Sequence, residues 1–272
     1  MKTEIITVSF DKDLKWLKYS MESRRRYCRS YHNELGTVLL DDSLVEGEQC
    51  NMTADWCKSQ GINYGINKGA KAIKRGYVRQ QYMKFYCDRY VMPDTEFICH
   101  VDSDSIFTEG HDPSIYFEDG KPIMLYTPYD VFFQPSQPEN IQVALKQWHD
   151  ITSEAMGSDV PHEFMRRMPL VYPKDMFVEV RKFVSSTHKK QVVHWMREMP
   201  NFSEYNFFGA WAWEYAHDQF AWKNTEEDDF DQLPLNQYWS HADFSVKEKN
   251  IHAFLYETPE YRHLNDISFT PA

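Results

Sequence analysis

The apolar run Phe97-Ile98-Cys99-His100-Val101 stops abruptly at Asp102-Ser103-Asp104, and this junction constrains the fold more than any other part of the chain. The run is β-prone and reads as a buried strand. Strand side chains alternate with period two, so Asp102 and Asp104 would point the same way if extended geometry persisted. Ser105-Ile106-Phe107 is apolar again before Glu109-Gly110-His111-Asp112-Pro113 breaks the chain. Two like charges between apolar segments are costly unless something neutralises them. Hard divalent ions such as Mg²⁺ and Mn²⁺ prefer carboxylate oxygen and keep positions open for water and phosphate, so the triplet reads as a metal site serving a diphosphate. The plainer alternative is a turn or solvated loop, which most D-x-D triplets are.

The segments before the triplet alternate between strand and helix. Residues 4 to 10 read as a first strand, followed by a helix through Leu14, Leu17, Met21 and Tyr27. Residues 36 to 42 form a second strand ending in Asp41 and Asp42, as a parallel α/β sheet requires. Ligands of such open sheets bind beyond the carboxyl ends of the strands, where Ser9, Asp41, Asp42 and the Asp102/Asp104 pair all fall. A helix predicted over Tyr77 to Tyr90 carries Arg79, Gln80, Gln81 and Lys84, of which Arg79 and Lys84 are placed to bind phosphate if its N-terminal end faces that rim. An ordinary amphipathic helix is the alternative.

Further on, the pattern predicts a short strand over Ile123-Met124-Leu125-Tyr126 and helices over Glu139 to Met156, Lys174 to Val184 and Lys189 to Met199. An aromatic-rich helix follows Phe202-Ser203-Glu204-Tyr205. The chain divides into an α/β half, 1–130, and a second half of the same domain, 131–272.

At 272 residues, a single large α/β domain is expected to bury a core easily. The 18 Phe, 17 Tyr and 8 Trp supply rings for the core, and some for pocket walls that stack on flat or sugar-like ligands. A net charge of −11 argues against non-specific coating of nucleic acid, although Arg24-Arg25-Arg26 with Arg29, and Lys68, Lys71, Lys74, Arg75 and Arg79, leave room for local basic faces. Five cysteines without a C-x-x-C pair suggest neither a zinc site nor a disulfide framework. The N-terminal apolar stretch is too short for a signal peptide, no segment matches a membrane span, and a cytoplasmic location is expected.

The order Thr7-Val8-Ser9-Phe10, Asp41-Asp42 and Asp102-Ser103-Asp104 resembles the nucleotide-sugar-dependent glycosyltransferases of the GT-A fold. Gly76-Tyr77-Val78-Arg79-Gln80-Gln81-Tyr82-Met83-Lys84 and Phe202-Ser203-Glu204-Tyr205 make the chain more similar to a phage and bacterial subgroup, over roughly residues 3 to 216. The resemblance implies a Rossmann-like mixed sheet flanked by helices, with a helical acceptor side. It implies that Asp104, with Asp102 directly or through water, binds Mn²⁺ or Mg²⁺, joined by a C-terminal histidine, His241 rather than His252 or His263. Thr7, Ser9 and Asp42 would line the nucleoside pocket, and Arg79 and Lys84 would face the diphosphate or sugar of a UDP-sugar. Glu204, with Asp130 behind it, is the candidate base for an inverting transfer; in a retaining one Glu204 would bind hydroxyls. As an alternative to both, Glu204 is simply a carboxylate at a helix entrance. The acceptor stays open between a glycan, a protein, a small molecule and a hydroxymethylated pyrimidine of phage DNA, which would place the enzyme in a host cytoplasm. A metal-dependent phosphohydrolase and a non-catalytic sugar- or nucleotide-binding module are the readings from other classes.

Overall fold

In a computed structural model, the described residues are 1–41, 48–107, 112–166, 169–199, 201–227, 235–237 and 259–266. Strand β1 (Thr3–Ser9) leads into α1 (Leu14–Tyr27), β2 (Asn33–Leu40), α2 (Glu48–Ser59), β3 (Asn63–Ile66), α3 (Gly76–Lys84) and β4 (Phe97–His100). Next come β5 (Ser105–Phe107), β6 (Phe117–Glu118), β7 (Lys121–Pro128), α4 (Tyr129–Phe132), α5 (Glu139–Met156), β8 (His162–Glu163) and β9 (Leu170–Pro173). The remainder is α6 (Met176–His188), α7 (Val192–Glu198), α8 (Glu204–Tyr215), β10 (Ala221–Asn224) and β11 (Leu235–Gln237).

The main sheet has the order β3-β2-β1-β4-β9, with the first four strands parallel and β9 antiparallel to β4. The expected α/β class, a parallel-rich mixed sheet flanked by helices, is therefore what the chain forms. Period-two alternation sends Val38 and Leu40 to one face, against Leu17, Met21 and Trp56, and Leu39 to the other, with Ile6, Ile98, Phe85 and Phe208. The chain runs outward from β1 to β2 and β3, then returns to pair β4 on the other side of β1. That reversal opens a crevice beyond the carboxyl ends of β1 and β4, where open sheets bind their ligands.

Two departures from the expected elements have clear causes. The helix predicted over Tyr77 to Tyr90 ends at Lys84, and the chain tightens into a 3-10 turn over Cys87–Arg89. An α-helix would send the Arg89 N–H to the Phe85 carbonyl. Arg181 of α6 donates to that carbonyl instead and grips Asp88 with both guanidinium nitrogens, so Arg89 donates to the Tyr86 carbonyl at 3.2 Å. The apolar Leu170-Val171-Tyr172 is an edge strand of the main sheet, not a connector, and its terminal Pro173 is tolerated because an edge does not need every N–H.

Beside the main sheet, β7 pairs with β6, β8 and β10, and β5 pairs with β11. Helix α8 packs so tightly on Phe164 that a Cβ at Gly209 would lie 2.3 Å from that side chain. This close approach fixes α8, and with it Glu204, against the sheet. Many rings lie in the core: Phe85 contacts Phe202, Phe207, Phe208 and Trp195. Cys28, Cys57, Cys87 and Cys99 are all buried. No helix among the described residues is long and apolar enough to cross a membrane.

Candidate active site

Three strand ends build the crevice. The Thr7 hydroxyl donates to the Val101 carbonyl at 2.6 Å and accepts from Arg24, so this buried side chain bolts β1 to β4. Ser9, at the end of β1, is buried with no partner for its hydroxyl among the described residues. Asp41 follows β2 and holds Arg79 of α3 at 2.6 Å through Nε, while Ile73 and Lys74 carbonyls accept from Nη1 at 3.0 and 3.3 Å. Only Nη2 of Arg79 has no partner there. Asp42 and His241 lie outside the described residues.

The acidic triplet is a turn. Ser105 N–H closes back on the Asp102 carbonyl at 3.1 Å, so the extended geometry expected for Asp102 and Asp104 does not persist beyond β4. A turn places its residues by backbone reversal rather than strand alternation. Asp104 is buried and Asp102 is 36% exposed, while Ser103 donates to Asp13 at 2.8 Å.

Against this turn lies a buried ionic knot. Lys84, the last residue of α3, puts Nζ 2.7 Å from Glu204, 3.4 Å from Asp102 and 2.5 Å from the Tyr205 hydroxyl. Burial alone would lower the Lys84 pKa, but Asp102 and Glu204 override it and hold the ammonium protonated above its ordinary range. Burial raises Glu204 above a usual carboxylate, against the opposing pull of Lys84. Glu204 does begin a helix, capped by Ser203, whose hydroxyl accepts from the Asn206 N–H. Its carboxylate nonetheless turns inward to Lys84. The structure thus brings together Lys84, Asp102 and Glu204, with Asp104 in the same turn as Asp102. Asp130 is exposed on α4, where its charge acts on His162.

The sequence assigns no role to Asp13, Tyr77 or Tyr205, which here touch the acidic turn or the ionic knot. Tyr77 shares with Gln81 the stripe of α3 that carries Lys84, so helical spacing from Lys84 points to it.

One core group next to the site carries a pH signature. His100 is fully buried two residues before Asp102, with Nε2 3.3 Å from the Cys87 sulfur and its ring against Tyr172, Phe177, Tyr205 and Phe208. Burial, reinforced by Lys84, pushes its pKa well below the ordinary 6.5. The unfolded chain then binds a proton that the folded chain refuses, so this contribution is full above about pH 6.5 and shrinks as pH falls. His100→Phe is expected to remove up to about 1.4 kcal/mol per pH unit of acid sensitivity. Urea midpoints measured from pH 7.5 to 5 check it; parallel curves for variant and wild type would sink the assignment.

Among the described residues, no group of three His, Cys, Asp or Glu is placed to hold a metal. The donor set offered is two carboxylates of one turn. That suits a hard cation completing its shell with water and phosphate oxygens, and not a closed structural site.

Fold and site together define an α/β protein with a charged crevice at the switch point of a mostly parallel sheet. No protein-family profile matches the chain, and no curated protein matches it. Among solved structures it is similar to the galactosyltransferase LgtC in complex with donor and acceptor sugar analogs, at 11% identity over 96% of this chain and 99% of that one, with a TM-score of 0.48. It is similar to 4-diphosphocytidyl-2C-methyl-D-erythritol synthase from Anaerococcus prevotii, at 8% identity over 93% and 96% of the chains and a TM-score of 0.43. It is also similar to the WbbM bifunctional glycosyltransferase, at 8% identity over 93% of this chain and 44% of that one, with a TM-score of 0.43.

Proposed function

We propose that the chain is a metal-dependent glycosyltransferase of the GT-A type, which moves a sugar from a UDP-sugar to a hydroxyl acceptor. The observation that carries this reading is the acidic turn at the switch-point crevice, packed against the Lys84–Glu204 pair. Asp102 and Asp104 would hold Mn²⁺ or Mg²⁺, which as a Lewis acid supplies charge stabilisation for a departing diphosphate. Lys84 contacts both the Asp102 carboxylate and Glu204, so it keeps Glu204 beside the acidic turn. Burial raises the proton affinity of Glu204 above that of an ordinary carboxylate, which suits it to accept a proton from an acceptor hydroxyl in an inverting transfer. Asp130 is the second candidate base for an inverting transfer; in a retaining reaction Glu204 would instead bind hydroxyls.

For the acceptor, a hydroxymethylated pyrimidine in DNA is the specific proposal, and the basic faces bear on it unequally. Arg24 is fully buried, and Arg25 and Arg26 pair with Glu22 at 3.6 and 3.0 Å, so α1 offers little free charge. Lys68, Lys74 and Arg75 are exposed ahead of α3 and would carry any phosphate contact.

The wild-type protein is expected to melt at higher temperature with UDP-sugars plus Mn²⁺ than with either alone or with free sugars. No such shift would remove the donor assignment. Incubation with UDP-sugar, Mn²⁺ and either hydroxymethylcytosine-containing DNA or a glycan, followed by mass analysis, separates the acceptors. Phosphate or free sugar released without an acceptor product would favour hydrolysis instead.

A further inference from the structure

Helix α8 is gripped on the side away from Glu204. The grip is Asn206, fully buried, whose Oδ1 accepts the Phe164 N–H at 2.8 Å and the Met165 N–H at 3.2 Å. Both N–H groups lie past Thr127–Glu163, the end of the short β7–β8 ladder. Backbone donors taken out of water need acceptors, and a side chain about 40 residues further along supplies one here.

The same segment meets α8 at three more points. Ser203, which accepts the Asn206 N–H at 3.3 Å, donates to the Met165 sulfur at 3.7 Å. Glu163, also fully buried, accepts the Met165 N–H at 3.0 Å and pairs with Arg166. Arg166 and the Asn206 amide both oppose the rise in the Glu163 pKa that burial causes. One turn further along α8, Gly209 leaves no room for a Cβ against Phe164.

Helix geometry converts this grip into an aim. Each residue turns the helix by about 100°, so side chains three apart share a face and those two apart leave on nearly opposite sides. Asn206 and Gly209 form the face locked to residues 163–166, while Glu204 reaches away to Lys84 at 2.7 Å. Any rotation of α8 on that segment would carry the Glu204 carboxylate with it. Apolar contacts are non-directional and tolerate such slippage, whereas two hydrogen bonds converging on one oxygen resist it.

We propose that Asn206 is the positioning residue for Glu204: its hold on the Phe164 and Met165 backbone sets the rotation of α8 that keeps this carboxylate beside the acidic turn. This rests on the reading of Glu204 as the base of an inverting transfer and names what aims it. Being fully buried, Asn206 acts through Glu204 and not on a reactant.

Three variants test it. Asn206→Ala removes the grip. Asn206→Asp keeps an acceptor for both N–H groups but sets a second buried carboxylate against Glu163. Adding Glu163→Gln to Asn206→Asp restores an amide–carboxylate pair with the roles reversed. The measurements are melting curves, crystal structures, and steady-state kinetics with UDP-glucose, Mn²⁺ and hydroxymethylcytosine-containing DNA, beside Glu204→Gln as the control.

Asn206→Ala is expected to lower kcat about tenfold or more, with KM for UDP-glucose within about twofold of wild type. The Lys84–Glu204 contact should lengthen beyond hydrogen-bond reach. Asn206→Asp should show the same two changes at smaller size, and it decides the matter if Asn206→Ala does not fold. Asn206→Asp with Glu163→Gln should return both toward wild type.

A lowered melting temperature with kcat and the Lys84–Glu204 contact unchanged would give Asn206 a merely structural role and overturn the inference. So would a double variant no better than Asn206→Asp alone. If wild type transfers no sugar, or Glu204→Gln transfers as fast as wild type, the reading of Glu204 fails and takes this inference with it. If Glu204→Gln loses transfer while the Asn206 variants keep it, only the inference fails.

Discussion

Lys84→Met is expected to lower stability by about 3–5 kcal/mol and to abolish transfer, because it leaves the buried Glu204 carboxylate without its ammonium. The deficit should depend on pH with a definite sign. Burial already raises Glu204, and Lys84 is its strongest opposing influence. Without Lys84 the folded-state pKa rises further above its ordinary value of 4.5. An acid with a raised pKa keeps its stability contribution at low pH and loses it as pH climbs through the folded value. The variant should therefore be closer to wild type at pH 5 than at pH 8, as denaturant midpoints at the two values would reveal. Replacing both partners, Lys84→Met with Glu204→Leu, should recover much of the stability, since a buried pair exchanged for apolar groups is often nearly neutral. Activity should not return. If the double variant were as unstable as the single one, the loss would come from packing at α3 and not from the stranded charge.

The second large effect is expected at Asp104. Asp104→Asn should reduce transfer by about 10²-fold or more and erase the Mn²⁺-dependent part of the UDP-sugar melting shift. Asp102→Asn should act differently. Asp102 is partly exposed and touches Lys84, but Lys84 keeps its shorter contact to Glu204 when Asp102 is neutralised. Its stability should change little while metal affinity falls. Melting curves of the two variants across a Mn²⁺ titration check this. Full metal-dependent stabilisation in Asp104→Asn would show that the carboxylate is not a metal ligand.

Much of the fold was legible because its signals are local. The helix over Glu139–Met156 follows from periodicity, and β1, β2 and β4 follow from apolar runs punctuated by polar residues. What could not be read depends on partners far along the chain. Helix α3 is cut short because Arg181, 96 residues after Phe85, occupies the carbonyl the helix would need. Leu170-Val171-Tyr172 is a strand because β4 lies beside it, and nothing within those three residues says so.

The site follows the same rule. Asp102, Asp104, Lys84 and Glu204 can be picked out by type and position, but Lys84 meeting Glu204 across 120 residues cannot. Nor can the burial of Arg24, whose place in a run of three arginines suggests a basic surface. In the fold it holds the Thr7 hydroxyl and the Leu35 carbonyl inside the protein.

The placement of Glu204 on α8 also sets an order of events. As the chain leaves the ribosome, β1 to β4 can pair while Lys84 still lacks Glu204, and the loop that must close to join them costs entropy before any contact repays it. Synthesis at about 5–20 residues per second keeps α8 away for several seconds after α3 has emerged. Throughout that interval the nascent sheet carries an ammonium whose nearest counter-charge is still untranslated, so the crevice is completed only when the second half of the chain arrives.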